Sequence, residues 1–387
     1  MKKITVLTYA ALLALCSCTN EVNEEGFVDK TNTISFNAYA NKTRAVTGDV
    51  TSDNMKNDNF GVVGYNNNSI YLGSSSAAIE QTWKADENVT GGGSWEYKTQ
   101  TDLKFWPSSG TMKFFAYFPS SDNATFAESI SENSTVMTIP NLSCNHDVLF
   151  ATTNDLTYQE RVPLTFYHAF SKIEALNVEI KGGNVESAGV NVEIQKIEFV
   201  NTSTSGSVLV DNSGIASYTA ASPNVTLSKD FSSSVKTVNS TNKTANLIDN
   251  TGKSDGYIFA TNSSSSATKN VKGTGKSLWN GKKDVLNSST LSSGNFACLK
   301  LTCKVKDNKH YLVGDESTYG DMYIPLTGTD SNHSEITSLL AGKRYKYNIV
   351  WEHNVGFTDA GDPILNPILF SVNSIDSWGD VTVTITL

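Results

Sequence analysis

The stretch TISFNAYANKTR, residues 33–44, precedes every other segment whose composition is that of a folded domain. Ile34, Phe36 and Ala38 alternate with more polar residues, which is the period-two pattern of a strand with one buried face. A polar linker that contains Arg44 follows this strand, and a large β-rich body begins after the linker. The pattern predicts one strand that is joined to the rest of the protein by a linker with basic residues.

The composition is that of a folded, acidic protein. The chain has 387 residues, of which 39% are hydrophobic and 18% are charged, and its formal net charge is -9. This length suggests roughly two domains. Because binding to nucleic acid needs clustered lysine and arginine side chains, the acidic composition predicts no nucleic-acid partner.

The N-terminus has the features of a lipoprotein signal. Lys2 and Lys3 precede an apolar run at residues 4–15, which is too short to span a membrane as a helix. The run ends in Leu-Cys-Ser-Cys, and a leucine, two small residues and a cysteine form the pattern that the lipoprotein signal peptidase reads. The sequence predicts a signal peptide at residues 1–17 and a lipidated Cys18 that anchors the chain in the outer membrane. An ordinary signal peptide is the alternative.

Many short strands, separated by turns rich in Gly, Asn and Ser, account for the rest of the chain. No amphipathic helical pattern longer than about three turns stands out. These features predict an all-β protein made of two antiparallel β-sandwiches. We assign a tether and the first strand to residues 18–44, an N-terminal sandwich to residues 45–170 and a C-terminal sandwich to residues 171–387.

Three cysteines lie outside the signal, namely Cys144, Cys298 and Cys303. An exported protein can form disulfides, but an odd number of cysteines leaves one thiol unpaired. Cys298 and Cys303 are five positions apart, so on one strand their side chains point to opposite faces and cannot bridge. We expect buried free thiols, and the sequence leaves the disulfide state open.

No residue pattern predicts catalysis, a cofactor or a metal ion. Residues 270–277, NVKGTGKS, imitate the end of a phosphate-binding loop but lack its first glycine and a strand that leads into it. The five histidines are scattered, and no Gly-x-Ser-x-Gly motif is present. The sequence does not exclude a pair of glycosidase carboxylates, because the two residues of such a pair meet in space and have no fixed spacing in the sequence. We predict that the protein is not an enzyme.

The tryptophans suggest an alternative function. Trp83, Trp95 and Trp106 could form a platform on which sugars stack, although aromatic residues at strand spacing more often belong to a core. Trp279 lies in a polar loop rich in Gly and Lys, and it is the one that we expect to be exposed. The alternative is therefore a cell-surface glycan-binding lipoprotein without catalytic activity.

Several short motifs, through their order and spacing, give the chain a resemblance to fimbrillins, the subunits of the Bacteroidales type V pilus. They are the lipobox at Cys18, ISFNAYANKTRA at 34–45, KFWPSSGTMKFFAYFP at 104–119, DVLFAT at 147–152, VPLTFYHAFSKI at 162–173, LLAGKRYKYNIVW at 339–351, VGFTDAGDPI at 355–364 and IDSW at 375–378. The resemblance implies two transthyretin-like β-sandwich domains, export as a lipoprotein and polymerisation with other fimbrial subunits on the outer surface. It also implies a structural subunit of the pilus, or an adhesin for host or bacterial surface ligands.

The resemblance further implies a cleavage step. In fimbrillins an arginine-specific protease cuts behind the first strand, that strand leaves, and a strand of the next subunit fills the open groove. Arg44 and Ala45 occupy the matching position in this sequence, and the only other arginines are Arg161 and Arg344. Both adjoin apparent strands, where we expect them to be shielded from a protease. The alternative is an uncleaved lipoprotein in which Arg44 is a solvated loop residue.

The closing sequence VTVTITL, residues 381–387, is compatible with two roles. Val381, Val383, Ile385 and Leu387 form one apolar face, and threonines form the other. A donor strand that inserts into another subunit would have this pattern. The last strand of the chain's own second domain would have it as well, and that role would favour a tip or accessory subunit.

Overall fold

We describe the fold from a computed structural model of the protein. The residues that it describes are 33–40, 49–182, 189–200, 202–220, 227–251, 253, 255–259, 298–308, 310–325, 328–329, 335–336, 339–352, 356–357, 363–364, 369–372 and 380–386. The predicted residues Cys18, Arg44, Ala45, Trp279 and Leu387 lie outside the described residues.

The described residues form short strands and three 3-10 helices, so the predicted all-β class is confirmed. The first strands are β1 (Phe36–Ala40), β2 (Phe60–Asn66), β3 (Ser69–Leu72), β4 (Ile79–Ala85), β5 (Gly93–Tyr97), β6 (Met112–Phe118), β7 (Thr125–Phe126), β8 (Thr135–Ser143), β9 (Leu149–Thr152) and β10 (Val162–His168). The next are β11 (Phe170–Lys181), β12 (Asn191–Val200), β13 (Ser205–Asp211), β14 (Ala216–Ala220), β15 (Leu227–Asp230), β16 (Lys236–Val238), β17 (Thr244–Asp249) and β18 (Tyr257–Phe259). The last are β19 (Cys298–Lys306), β20 (Tyr311–Val313), β21 (Gly320–Pro325), β22 (Gly328–Thr329), β23 (Glu335–Ile336), β24 (Arg344–Glu352), β25 (Gly356–Phe357), β26 (Pro363–Ile364), β27 (Leu369–Val372) and β28 (Asp380–Thr386). The 3-10 helices are Asn54–Asn57, Gln100–Asp102 and Ser120–Asp122.

The first sheet closes on itself. Its strand order is β3-β2-β4-β5-β1-β10-β9-β6, and β6 also pairs with β2. Side chains of β2 and β6 alternate between two cores, with Phe60 and Phe114 in the core that the ring encloses and Val63 and Phe115 in a second core outside it. Because β1 lies between β5 and β10, the ring is closed only while β1 is in place.

A four-stranded sheet, β14-β13-β8-β7, covers the outer core of the first sheet. The chain leaves the closed sheet at Ala169, between β10 and β11, next to the boundary predicted at residue 170. However, β13 comes after that point and still pairs with β8, for example through Val208 and Ile139. The predicted domain limits therefore stay a prediction, because strands from both halves of the chain share this sheet.

Two further sheets pack face to face as a β-sandwich, which we call the second sandwich. One has the order β17-β11-β24-β28-β27, with β18 also paired to β11. The other has the order β15-β12-β19-β20, with β16 on β12 and β21 on β19. Leu176 and Tyr347 from the first of these sheets meet Ile194 and Leu301 from the second in a shared core.

Candidate functional site

The strand predicted to be removable, β1, is built into the enclosed core of the first sheet. Ile34 and Phe36 are fully buried, Ala38 is 9% exposed and Ala40 is 4% exposed. Tyr39, on the opposite face, is 49% exposed. The alternation in the sequence therefore corresponds to one buried and one solvent-facing side of the strand.

β1 is held more extensively along one edge than along the other. It runs parallel to β10 over its whole length, through five residue pairs. Towards β5, the described pairing is the single pair of Phe36 with Trp95. Just before the strand, the Ile34 backbone N–H donates to the Lys104 carbonyl at 2.9 Å. Loss of β1 would leave the edge of β10 unpaired over five residues, which is an edge that another strand could join.

Phe36 occupies an aromatic pocket in this core. Its ring lies 5.5 Å from the ring of Phe114 and 6.1 Å from that of Phe60, and both contacts are edge-to-face. Phe60 in turn lies 4.9 Å from the Trp95 ring and 5.4 Å from the Phe166 ring. Since these rings surround the place of one β1 side chain, removal of β1 would expose apolar side chains and not only a sheet edge.

The two arginines other than Arg44 differ in exposure, and one expectation is wrong. Arg344 in β24 is 3% exposed, as expected, but the Arg161 side chain is exposed. The reason is that Arg161 continues the alternation of β10 on its exposed side, since Val162 is buried and Pro163 is exposed. The backbone on each side is nevertheless tied to β1, because Val162 N–H donates to the Ser35 carbonyl and the Ser35 hydroxyl donates to the Glu160 carbonyl, both at 2.7 Å.

Behind the linker that contains Arg44, the chain is fixed by buried charges. Asp49 is 2% exposed, and its Oδ1 atom accepts hydrogen bonds from Lys172 Nζ at 2.5 Å and from the Tyr257 hydroxyl at 2.7 Å. Arg344 approaches the other carboxylate oxygen to 3.9 Å. These partners belong to β11, β18 and β24, so Asp49 attaches the segment behind the linker to the second sandwich.

A second carboxylate completes this group, which we call the anchor cluster and which consists of Asp49, Lys172, Glu174, Tyr257 and Arg344. Arg344 lies 3.4 Å from Glu174, which is 1% exposed. Two buried carboxylates thus face two buried cations, and buried charges persist only when they are paired in this way. Burial, together with nearby carboxylates that include Asp49, holds the pKa of Tyr257 far above its usual range, so its hydroxyl remains a hydrogen-bond donor.

The sequence carries a signal for part of the anchor cluster. Lys172 and Glu174 are in step with the apolar residues of β11, such as Phe170 and Leu176, and both are almost fully buried. Lysine and glutamate are rarely buried without a partner, so two of them within such a strand indicate an ion-paired group. Asp49, in contrast, follows a polar linker and has no pattern around it that would mark it as the partner.

The predicted donor residues Val381, Val383 and Ile385 lie in β28. This strand runs parallel to β24 through seven residue pairs and antiparallel to β27 through four. Its backbone is therefore paired on both edges within the chain's own second sandwich. That position agrees with the role of a final strand, and the donor role stays a prediction.

Among the described cysteine side chains, Cys144 and Cys303 are unpaired and largely shielded from solvent. Cys144 and Cys303 carry free thiols, and Cys298 lies on the same strand as Cys303, namely β19. Burial raises the pKa of Cys144 well above its usual value and, with a contribution from Asp321, that of Cys303 to about 12. Both thiols are therefore protonated at neutral pH and are poor nucleophiles.

The three candidate tryptophans that the structure describes, Trp83, Trp95 and Trp106, are used in packing, and the ring of Trp106 lies 6.0 Å from that of Phe114. A surface cleft of about 280 Å³ is lined by Lys56, Trp83 and residues 85–92. Lys56 Nζ lies 4.8 Å from the centre of the Trp83 ring, and the Trp95 ring packs edge-on against Trp83 at 5.6 Å. Trp95 itself is 4% exposed. Since the Trp83 ring already carries a cation and an aromatic neighbour, it does not offer an open platform for a sugar.

Within the parts of the chain that the structure describes, no group of three or more His, Cys, Asp or Glu side chains could hold a metal ion. No helix in those parts has the length and apolar character needed to cross a membrane. The groove occupied by β1, together with the anchor cluster behind it, is the candidate functional site, because loss of β1 would expose both an unpaired edge of β10 and the aromatic pocket around Phe36.

Comparison with known families gives a match between residues 43–301 and the model of a family described as fimbrillin-like. No curated protein matches the chain. Similar solved structures include a fimbrial protein from Bacteroides vulgatus, with 12% identity and a TM-score of 0.39; the match covers 92% of this chain and 97% of that one. Another is a fimbrilin from Porphyromonas gingivalis, with 10% identity, a TM-score of 0.35 and the same two coverages. A third is the tip fimbrial protein Mfa3 from Porphyromonas gingivalis with a C-terminal truncation, with 11% identity and a TM-score of 0.32; the match covers 92% of this chain and 98% of that one. With identities and TM-scores this low, the family match is the finding that identifies the chain's relatives.

Proposed function

Because the chain belongs to the fimbrillin-like family, we propose that it is a structural subunit or adhesin of a cell-surface fimbria. In this proposal the protein is exported as a lipoprotein lipidated at Cys18 and is opened for donor-strand exchange by cleavage between Arg44 and Ala45. Its partners are other fimbrial subunits, and it performs no catalysis.

The observation that carries the proposal is the position of β1 in the first sheet. Ile34 and Phe36 are fully buried in the enclosed core, yet the strand ends at Ala40, four positions before Arg44 in the sequence. A cut in that linker would leave β1 without a covalent connection to the remainder of the fold. Its departure would then open an apolar groove bordered by β5 and β10, which a strand of another chain can fill.

The same position explains why the precursor would not assemble too early. While β1 is present, both the edge of β10 and the aromatic pocket around Phe36 are occupied. An incoming strand would have to displace Ile34 and Phe36 from a core in which they are fully buried. Burying large apolar side chains stabilises a fold by about 1.5–3 kcal/mol each, so the connected strand protects the groove effectively.

Limited proteolysis tests the proposal. Precursor protein without its signal peptide is treated with an arginine-specific protease, and the products are followed by mass spectrometry and by binding of an apolar fluorescent dye. We expect release of a fragment that ends at Arg44, together with increased dye binding as the groove opens. The Arg44→Ala variant should remain intact at this position and bind little dye, whereas Arg161→Ala should be cut behind Arg44 like the natural sequence.

Two results would count against the proposal. One is a precursor that resists cleavage behind Arg44 under conditions in which an unfolded control is cut there. The other is a fragment that is cut but never separates from the body of the protein, with no change in dye binding. The mature N-terminus on intact cells gives an independent answer, since a start at Ala45 means that the strand has left and a lipidated Cys18 means that it has stayed.

A further inference from the structure

The side chains of β1 define which strand its groove accepts. Four positions face the enclosed core and are all buried, namely Ile34 just before β1 and Phe36, Ala38 and Ala40 within it. Along the direction of the strand, the groove therefore takes two large side chains and then two small ones. This order is a property of the groove walls and not of β1 alone, because interiors of proteins are close-packed.

At the large end, the walls are aromatic. Phe36 fills the space between the Phe60 and Phe114 rings, and it lies opposite Trp95 on β5. A smaller side chain at this position would leave a cavity among these rings, because rings that contact other parts of the core can close such a space only partly. The position accordingly selects for an aromatic side chain.

At the small end, bulky neighbours occupy the space. Ala38 pairs with Leu164 and Ala40 pairs with Phe166 on β10, and both of these β10 side chains are fully buried. Paired residues of adjacent strands point to the same face, so these two side chains lie beside the alanine methyl groups. A longer side chain in either alanine position would force a displacement of its neighbours.

The chain's own closing strand has the opposite order of sizes. Aligned with β1 in the same direction, residues 381–387 place Val383 at the aromatic position, Ile385 at the position of Ala38 and Leu387 at that of Ala40. A shift by two residues still places Leu387 at an alanine position. A shift by four places the aliphatic Leu387 at the aromatic position.

A second, independent observation concerns the availability of this strand. β28 is paired on one edge with β24 and on the other with β27. Its withdrawal for insertion into another molecule would leave two edges unpaired in the second sandwich. β1 differs in this respect, since towards β5 its described pairing is one residue pair.

We propose that the groove under β1 is filled by a strand of a different protein and not by a second copy of this one. The core-facing side chains of that strand are, in order, large, aromatic, small and small. In this view the protein accepts a strand but does not donate residues 381–387 to a second copy of itself. The inference rests on the proposed function. A filament continues only through subunits that both accept and donate, so a subunit whose β28 stays paired with β24 and β27 belongs at one end of a fimbria.

Peptide binding to the full chain, cut behind Arg44 and separated from its strand, tests the inference. An Arg161→Ala background prevents a second cut. The probe is a fluorescent peptide of residues 33–43, and binding is followed by anisotropy. Four competitors are compared, each with the same two-lysine tail for solubility. Two of them are the natural sequences of residues 33–43 and of residues 380–387. The third is residues 33–43 with Phe36→Val, Ala38→Ile and Ala40→Leu. The fourth is residues 380–387 with Val383→Phe, Ile385→Ala and Leu387→Ala.

We expect the substituted peptide of residues 33–43 to compete at least about tenfold more weakly than its parent. The substituted peptide of residues 380–387 should compete at least about tenfold more strongly than its parent. A tenfold change in affinity corresponds to the cost of one misfitted side chain or less. Light scattering should show that the cut protein alone stays monomeric. Equal competition by residues 33–43 and 380–387, or a homopolymer of the cut protein, overturns the inference while leaving donor-strand exchange intact. If no peptide binds, not even residues 33–43, the proposed function fails and the inference fails with it.

Discussion

The two sides of the linker that contains Arg44 are held in the protein by different physical means. In front of it, β1 is fixed by apolar burial and by backbone pairing, with Phe36 at the centre. Behind it, the chain is held by the buried carboxylate of Asp49, which contacts Lys172 and Tyr257. Neither side is loosely attached, yet they differ in what would be needed to replace them.

Apolar burial can be exchanged, whereas the anchor cluster cannot. Any strand with a suitable sequence of side-chain sizes can fill the groove of β1, because the hydrophobic effect is not directional. The contacts of Asp49 with Lys172 and Arg344 require one carboxylate in one position, because its removal would leave buried cations without their partner. The difference suggests that the segment in front of Arg44 can be replaced and that the segment behind it remains as a permanent part of the subunit.

Asp49→Ala is expected to have the largest effect. The variant leaves the Lys172 ammonium buried without the carboxylate at 2.5 Å, and breaking a buried pair costs roughly 3–5 kcal/mol. Urea unfolding of the precursor and of the protein cut behind Arg44 should show a loss of this size in both. The exposed pair of Lys98 and Glu80 provides the control, since Lys98→Ala should cost less than about 1 kcal/mol.

The double variant Asp49→Ala with Lys172→Met distinguishes a paired charge from a general packing defect. Removing the ammonium together with the carboxylate takes away the unpaired charge, so the double variant should be more stable than Asp49→Ala alone. If the two substitutions simply add, the anchor cluster does not act as an ion-paired unit, and the contrast with β1 loses its basis.

Phe36→Ala should destabilise the precursor by about 3 kcal/mol, because it empties the pocket between Phe60 and Phe114. After the cut behind Arg44 and loss of β1, the same substitution should have no effect on the remaining protein. Urea unfolding of both forms measures the difference, and Tyr39→Ala on the exposed face of β1 is the matched control. A loss that persists after cleavage would mean that β1 does not leave.

These features differ in how far the sequence predicts them. The alternation at Ile34, Phe36 and Ala38 is local, so the buried face of β1 can be predicted from a few residues. The pairing of β13 with β8 joins residues far apart in the chain, and no local pattern indicates it. The same holds for Asp49 and Lys172, which are 123 positions apart. The sequence thus predicts strands and their faces, but not the partners that the topology brings to them.

The order of two proteolytic cuts tests the comparison through kinetics. The Arg161 side chain is exposed, but the backbone beside it is bonded to Ser35, the residue just before β1. We therefore expect an arginine-specific protease to cut behind Arg161 mainly after the cut behind Arg44 has released β1. The rate of this second cut should then be at least about tenfold higher than in the closed precursor, because each lost hydrogen bond is worth about 1 kcal/mol. Mass spectrometry of timed digests gives the order. The Arg44→Ala precursor is the control, and rapid cleavage of that variant behind Arg161 would show that β1 does not protect this site.

The smallest expected effect concerns a charge pair outside both regions. The hydrogen bond between His146 and the Asp122 carboxylate, at 3.1 Å, raises the pKa of His146 against the opposing effect of its partial burial. A raised pKa in the folded state means that the stabilisation is complete below the unfolded pKa of about 6.5 and is lost as the pH rises through the folded value. Since 42% of the His146 side chain is exposed, solvent screening should keep this contribution below about 1 kcal/mol. Urea unfolding of the natural sequence and of His146→Gln should therefore differ more at pH 5.5 than at pH 8.5, and a difference that grows with pH would contradict this assignment of the pair.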